Sequence, residues 1–250
     1  PDEDCGVITV PEGAVVTPAF IHANSVTGLT EVSLESATND ANSGMNGDIH
    51  AAFSPMDAYN PLSSLIPITR MEGVGTVIVA PGSGLVAGQA MAFDLVGSTQ
   101  STALAKKSAA MIANIGSGNG SSRADGLYRL RELLDDARFY RRQARAFEQG
   151  RLRELSASRL DLQALQPVLR RELPLMLSAN RASDIEAILR FAEDENVRVI
   201  IQGGAEAWMH ADALAAANVP VLINPLQYSI SGFDSILARK DNAALLEAAG

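Results

Sequence analysis

Residues 173–223 read LPLMLSANRASDIEAILRFAEDENVRVIIQGGAEAWMHADALAAANVPVLI, and the fold class is clearest in this stretch. Three short apolar runs stand in it: Leu173-Pro-Leu-Met-Leu177, Val197-Arg-Val-Ile-Ile201 and Val219-Pro-Val-Leu-Ile223. Each is the length of a strand, and continuous apolarity is what a strand covered on both faces requires. Between the first two, Ser183-Asp184 supplies a helix start, and Ile185, Ile188, Leu189 and Ala192 form a helical stripe. A second helix is expected over Ala207–Ala217. Strand, helix, strand, helix, strand at a pitch of about 22 residues is the rhythm of parallel βα units.

The same rhythm extends towards the N-terminus. Ala14-Val-Val-Thr-Pro-Ala-Phe-Ile21 leads into a strand. Ser63 to Met71 reads as a helix, Thr76-Val-Ile-Val-Ala80 as a strand stopped by Pro81-Gly82, and Gln89 to Leu95 as a further strand. That makes about six strands, where a closed parallel barrel has about eight. Leu130, Leu133, Leu134, Ala137, Tyr140, Ala144 and Phe147 recur at spacings of three and four. They define a long helix with Arg138, Arg141, Arg142 and Arg145 around its other faces. A shorter helix is expected from Asp161 to Arg171, burying Leu162, Leu165, Val168 and Leu169. Gly116-Ser-Gly-Asn-Gly-Ser-Ser122 is a loop; without a following Lys it is not a phosphate-binding loop.

Composition narrows the function. The chain has 250 residues, 47% of them apolar, which suits a globular domain with a sizeable core. The net charge of −9 argues against nucleic acid, whose affinity rests on neutralised phosphates. Residues 121–172 run against this trend, with 12 basic and 8 acidic residues, a pattern expected of a solvated helix face. No apolar run is long enough to span a membrane. One cysteine, Cys5, excludes an internal disulfide framework and a cysteine-rich metal site. The compartment stays open between cytoplasm and periplasm, and so does the oligomeric state.

In parallel α/β folds the site lies at the carboxyl ends of the strands. Those ends carry Asn24; Pro81, Gly82 and Ser83; Ser178, Asn180 and Arg181; Gly203, Gly204 and Glu206; Asn224 and Pro225. The set is polar, but it holds no His, Cys or Asp. Glu206 reads either as a general base in a pocket or as a carboxylate at a helix N-terminus. Arg181 reads either as a fork for a ligand carboxylate or as a loop cap. Asn24, Ser178 and Asn180 complete the expected pocket for a small molecule. His22, His50 and His210 are too scattered to form a known metal-binding spacing.

Several segments carry a resemblance. Val16-Thr-Pro-Ala-Phe-Ile-His-Ala-Asn-Ser-Val-Thr-Gly-Leu29 resembles the first-strand signature of the amidohydrolase superfamily, in which a similar run leads into a His-x-His metal pair. The text from Leu173 to Ile185 resembles the fifth strand of its imidazolonepropionase-related members. Gly203-Gly-Ala-Glu-Ala-Trp208 with Ala211-Asp-Ala-Leu-Ala215 and Val219-Pro-Val resembles their sixth strand and the next unit. Thr76-Val-Ile-Val-Ala-Pro-Gly-Ser-Gly84 with Gly88-Gln89 also fits that subgroup.

The resemblance implies an α/β (β/α)8 barrel of the amidohydrolase kind over residues 18–250, as its first six or so βα units, incomplete at the C-terminus. It implies a remnant of a small β-sandwich over residues 1–17. It also implies hydrolysis of non-peptide carbon–nitrogen bonds in small amides by water activated on zinc or another divalent ion. The chain departs from the family's ligand set. The first-strand histidine positions fall on Asn24 and Val26, the fifth-strand one on Ser178, and the sixth-strand one near Gly203, beside Gln202. These are poor ligands or none, so no metal and no cofactor is expected. The eighth-strand Asp of the family would lie beyond Gly250. Lys106 and Lys107 read as surface helix rather than as metal-bridging groups. The expectation is therefore an amidohydrolase-related protein with its metal ligands lost. The alternatives are a non-catalytic barrel that binds a small molecule or serves as a partner subunit, and a metal-independent enzyme using Glu206 with Asn24 or Ser178.

Overall fold

The computed structural model describes residues 9–42, 48–116, 122–151, 153–224, 226 and 232–250. Cys5, Pro225 and residues 117–121 of the glycine-rich loop lie outside these, as do residues 1–8 of the expected sandwich segment. Residues 9–17 carry no strand. In chain order the strands and α-helices are β1 (Phe20–Ser25), α1 (Leu65–Met71), β2 (Val74–Val79), β3 (Val86–Asp94), α2 (Gln100–Ala103), β4 (Leu104–Ala113), α3 (Arg123–Glu148), α4 (Arg159–Ala164), α5 (Gln166–Leu169), β5 (Leu175–Ala179), α6 (Ala182–Asp194), β6 (Val199–Gly203), α7 (Ala211–Ala216), β7 (Val221–Ile223) and α8 (Asn242–Ala249).

The strands form one sheet in the order β1 to β7. Pairing is parallel for β1–β2 and from β4 through β7, and antiparallel for β2–β3 and β3–β4. The sheet curls into a nearly closed barrel. Its two edge strands, β1 and β7, wall a shared groove of about 470 Å³, with residues 21–24 on one side and Gln202, Gly203 and 222–224 on the other. Phe20 and Ile21 on the β1 edge are 64% and 65% exposed.

Three expectations are corrected here. Lys106 and Lys107 sit in β4, not in a surface helix. Exposed lysines at the start of a strand resemble a helix's polar face when read alone. The hairpin with β3 is what makes this segment extended: Ala92 pairs with Lys106 and Ala90 with Ala110. The barrel therefore has seven strands among the described residues rather than about six, and β3 runs against the others. The helix expected over Asp161–Arg171 is two pieces, α4 and α5, meeting at Leu165 just before Pro167.

Three apolar clusters hold the fold. The largest lies between the outer face of the sheet and the helices, joining Leu175, Leu177, Val199 and Ile201 to Leu130, Leu133, Leu134, Ile185, Ile188 and Phe191. Each such fully buried side chain stabilises by about 2 kcal/mol. The barrel interior is a second cluster of smaller residues, Ala80, Ala87, Ala90, Ala110, Ile112 and Met176. A third surrounds Tyr59, whose ring stacks on Phe93 with centroids 3.7 Å apart.

Tyr59 yields a direct expectation. Its hydroxyl is buried without a partner among the described residues. Burial first, and the nearby charge of Asp94 second, push its pKa up to about 12. An unsatisfied buried hydroxyl costs about 1 kcal/mol or more. Tyr59→Phe keeps the stack and removes that cost, so the urea midpoint should hold or rise. A clear loss of stability would mean the hydroxyl has a partner.

Candidate functional site

The parallel strands end together at one mouth. Inside the barrel, Ile112, Met176 and Ile200 point to the interior cluster. Side chains repeat every second residue on a strand, so Asn114, Ser178 and Gln202 form the next layer up. The register agrees: Ile112 pairs with Met176, and Ser178 pairs with Gln202. The Ser178 hydroxyl lies 3.3 Å from Asn114 Oδ1 and 3.4 Å from Gln202 Oε1. One hydroxyl proton serves one acceptor at a time, which leaves an amide oxygen for a ligand. Asn114 Nδ2 donates to Gly84 O at 2.9 Å, tying this layer to the turn after β2.

A cleft of about 320 Å³ opens beside this layer, lined among others by Gly82, Asn114, Arg123, Ser178, Asn180, Asp184 and Asp234. Arg123 is the first residue of α3, whose N-cap Ser122 accepts from Asp125 N at 3.2 Å. Arg123 Nε donates to Asp184 Oδ2 at 2.7 Å, and Arg123 Nη2 pairs with Asp234. Arg181 Nη2 donates to Asp184 Oδ1 at 2.6 Å. Buried Asp184 thus holds two guanidinium groups, which satisfies its charge.

The end of β6 is shaped by Gly203 and Gly204, with φ of 101° and 61°. A Cβ on Gly203 would stand 2.4 Å from Asn180 Oδ1, and one on Gly204 would stand 2.5 Å from Val221 Cγ1. Only glycine allows both the left-handed turn and the close approach. The turn brings Gly204 N to Ala179 O at 2.7 Å and Glu206 N to Asn180 O at 2.9 Å. Glu206 is then buried, at 3% exposure. Its Oε2 accepts from Ala182 N at 2.9 Å and its Oε1 from Leu237 N at 3.0 Å. The carboxylate therefore caps the first turn of α6, where the helix dipole favours negative charge.

Of the residues expected from sequence, Ser178 and Asn180 line the cleft together with Gly82. Asn24 lies across β6 from them, in the groove with Gln202, Gly203 and Asn224. Glu206 and Arg181 line neither, although Arg181 reaches the cleft's acid, Asp184. His22 lies on the β1 edge, His50 in a loop, and His210 at the end of a 3-10 turn, Ala207–His210. Asn114, Arg123, Asp184 and Asp234 were not expected in the site, Asp184 having been read only as part of a helix start. Asn114 had a signal, because Ala109-Ala-Met-Ile-Ala-Asn114 is an apolar run ending in a polar residue at a strand end. The charged trio had none in local sequence.

Among the described residues no group of three or more His, Cys, Asp or Glu is placed to hold a metal ion. No helix there is long and apolar enough to cross a membrane. No protein-family model and no curated protein matches the chain. Among solved structures, the chain is similar to the crystal structure of an amidohydrolase from Thermotoga maritima MSB8. The two share 23% identity with a TM-score of 0.80, over 98% of this chain and 68% of that one. At that identity the likeness establishes the fold alone: this chain shares the fold of the matched part of that amidohydrolase.

Proposed function

We propose that this chain is an amidohydrolase-related barrel, of the imidazolonepropionase-related kind, that binds a small polar molecule in its mouth without a metal. The observation that carries this is the layer Asn114–Ser178–Gln202. Amides and a hydroxyl stand where metal-activated hydrolysis would need imidazoles and carboxylates. The donor set does not fit a divalent ion. Asn24 and Ser178 are weak ligands, Val26 is none, and of the two carboxylates that line the cleft Asp184 is held by two arginines and Asp234 by one. The Asn114–Ser178–Gln202 layer suits recognition of a neutral or singly charged polar molecule, since each of its side chains can donate or accept a hydrogen bond.

Hydrolysis of carbon–nitrogen bonds in small amides is the activity the resemblance implies, and the residues here supply no activated water for it. Glu206 does not replace the metal as a general base, because both its oxygens are occupied by backbone N–H groups. The test is turnover. The chain, incubated with small amides, cyclic amides and dipeptides, should release no product above buffer, with or without added zinc. Zinc-stimulated turnover would overturn the proposal.

A further inference from the structure

Two arginines and two aspartates meet at the cleft, and their arrangement is unequal. Asp184 is buried, with its side chain 9% exposed, and binds both Arg123 and Arg181. Asp234 is 51% exposed and, among the described residues, binds only Arg123. It belongs to a different segment, whose Leu237 N is held by Glu206. The fixed part of the site is therefore two guanidinium groups against one carboxylate. Asp234 covers the remaining side of Arg123 from outside, while the other carboxylate at this end of α6, Glu206, is occupied by the backbone N–H groups of Ala182 and Leu237.

The rest of the wall is uncharged. Asn180 Oδ1 accepts from Ala205 N at 3.4 Å, and its Nδ2 donates to no acceptor among the described residues. Ser178 and Asn114 continue the polar wall beyond it. The volume of about 320 Å³ is at the small end of the range for ligand pockets.

We propose that Asp234 occupies the place of a ligand carboxylate, and that the cleft takes a small monocarboxylate with a hydrogen-bonding, uncharged body. This rests on the reading of the mouth as a small-molecule site. The ligand's carboxylate replaces Asp234 on the outer edge of Arg123, where the planar fork suits two parallel hydrogen bonds. Its body lies against Asn180, Ser178 and Asn114. A dianion is disfavoured, because Asp184 already neutralises the second arginine.

The test uses a matched pair of probes, succinamate and succinamide, which differ in one carboxylate against one amide. Each is titrated into the 250-residue chain and followed by NMR. Succinamate is expected to bind and succinamide to bind at least about tenfold more weakly, as loss of a charge-assisted pair requires. Asp234→Ala removes the internal competitor. A half-exposed ion pair contributes little, so succinamate should tighten by about fivefold at most, with succinamide unchanged. Arg123→Gln should abolish the preference between the probes. If that variant does not fold, Asp234→Ala still decides the matter, since it changes only a half-exposed side chain and an unchanged or weakened affinity for succinamate would overturn the proposal.

Equal binding of the two probes overturns the carboxylate inference while leaving the mouth a binding site. Binding of neither probe, by the native chain or by Asp234→Ala, also overturns it. Zinc-dependent turnover would instead sink the metal-free reading and leave the preference between the probes to stand by itself.

Discussion

Glu206→Ala is expected to lower stability by about 3 kcal/mol or more. The residue is 3% exposed, and its carboxylate accepts the backbone N–H groups of Ala182 and Leu237. A hydrogen bond to a charged group contributes about 1.5–3 kcal/mol. The two donors are not equivalent. Ala182 is buried, so its N–H has no water to turn to, whereas Leu237 is half-exposed and its N–H can be solvated. Most of the loss should come from the α6 end. For a domain of this size the melting temperature should fall by about 6–12 °C. Glu206→Gln keeps one carbonyl oxygen but places an NH₂ group against a backbone donor, so it should fall between the two. The measurement is thermal or urea unfolding at neutral pH. A Glu206→Ala chain of native stability would contradict the capping role and reopen the general-base reading.

The second large effect is at Asp136. This carboxylate is 1% exposed in the middle of α3, on the face that otherwise buries Leu130, Leu133, Leu134, Ala137 and Tyr140. It accepts from Ser156 N at 2.8 Å and from Arg153 Nη2 at 2.5 Å, pinning the segment after α3 back onto the helix. Burial alone would raise its pKa. The backbone N–H of Ser156 and the guanidinium of Arg153 more than offset that, and the group titrates below its ordinary value. A depressed pKa contributes stability that is fully present above the unfolded value of about 4 and is lost as pH falls through the folded one. Asp136→Ala should therefore cost about 3 kcal/mol at pH 7. The gap between the native chain and Asp136→Asn should narrow as pH falls below about 4. Urea melts of the three chains at pH 7 and in acid check both statements. A gap independent of pH would mean the charge contributes nothing.

How much of this was legible depends on where the determining contacts lie. β5, β6 and β7 could be read from their apolar runs, because strands covered on both faces have no polar positions to confuse the period. Even there the strands begin two residues later than the runs, β5 and β7 directly after Pro174 and Pro220. Proline has no N–H to pair; its carbonyl instead accepts from the neighbouring strand, Pro174 from Met111 N and Pro220 from Ile201 N. β4 was not legible, since its exposed Lys106 and Lys107 carry no period-two signal and its pairing partner β3 is reversed. Of β3, Gln89 onward was read and Val86–Gly88 was not.

The site divides in the same way. Ser178 and Asn180 follow an apolar run, and their place at the mouth follows from parallel topology alone. Arg123 and Asp234 lie 111 positions apart, and only tertiary packing brings them to one cleft. Arg138 shows the same limit on the basic helix. It reads as a solvated face residue, yet its guanidinium binds Glu195 Oε2 at 2.8 Å and the Glu195 carbonyl at 2.7 Å, closing the C-terminal end of α6. A cation at that end is also favoured by the helix dipole. Glu206 was read as a carboxylate at a helix N-terminus or as a base. The helix it caps is α6, upstream in sequence, which the local pattern around Glu206 does not reveal.

On the proposed reading, the barrel mouth carries hydrogen-bonding side chains in place of a metal-ligand set. Elemental analysis tests it most directly, on chain purified without a histidine tag and dialysed against chelator-free buffer after exposure to zinc. No zinc or other divalent ion is expected above the buffer background. A stoichiometry close to one ion per chain, lost on Ser178→Ala or Asn24→Ala, would contradict it.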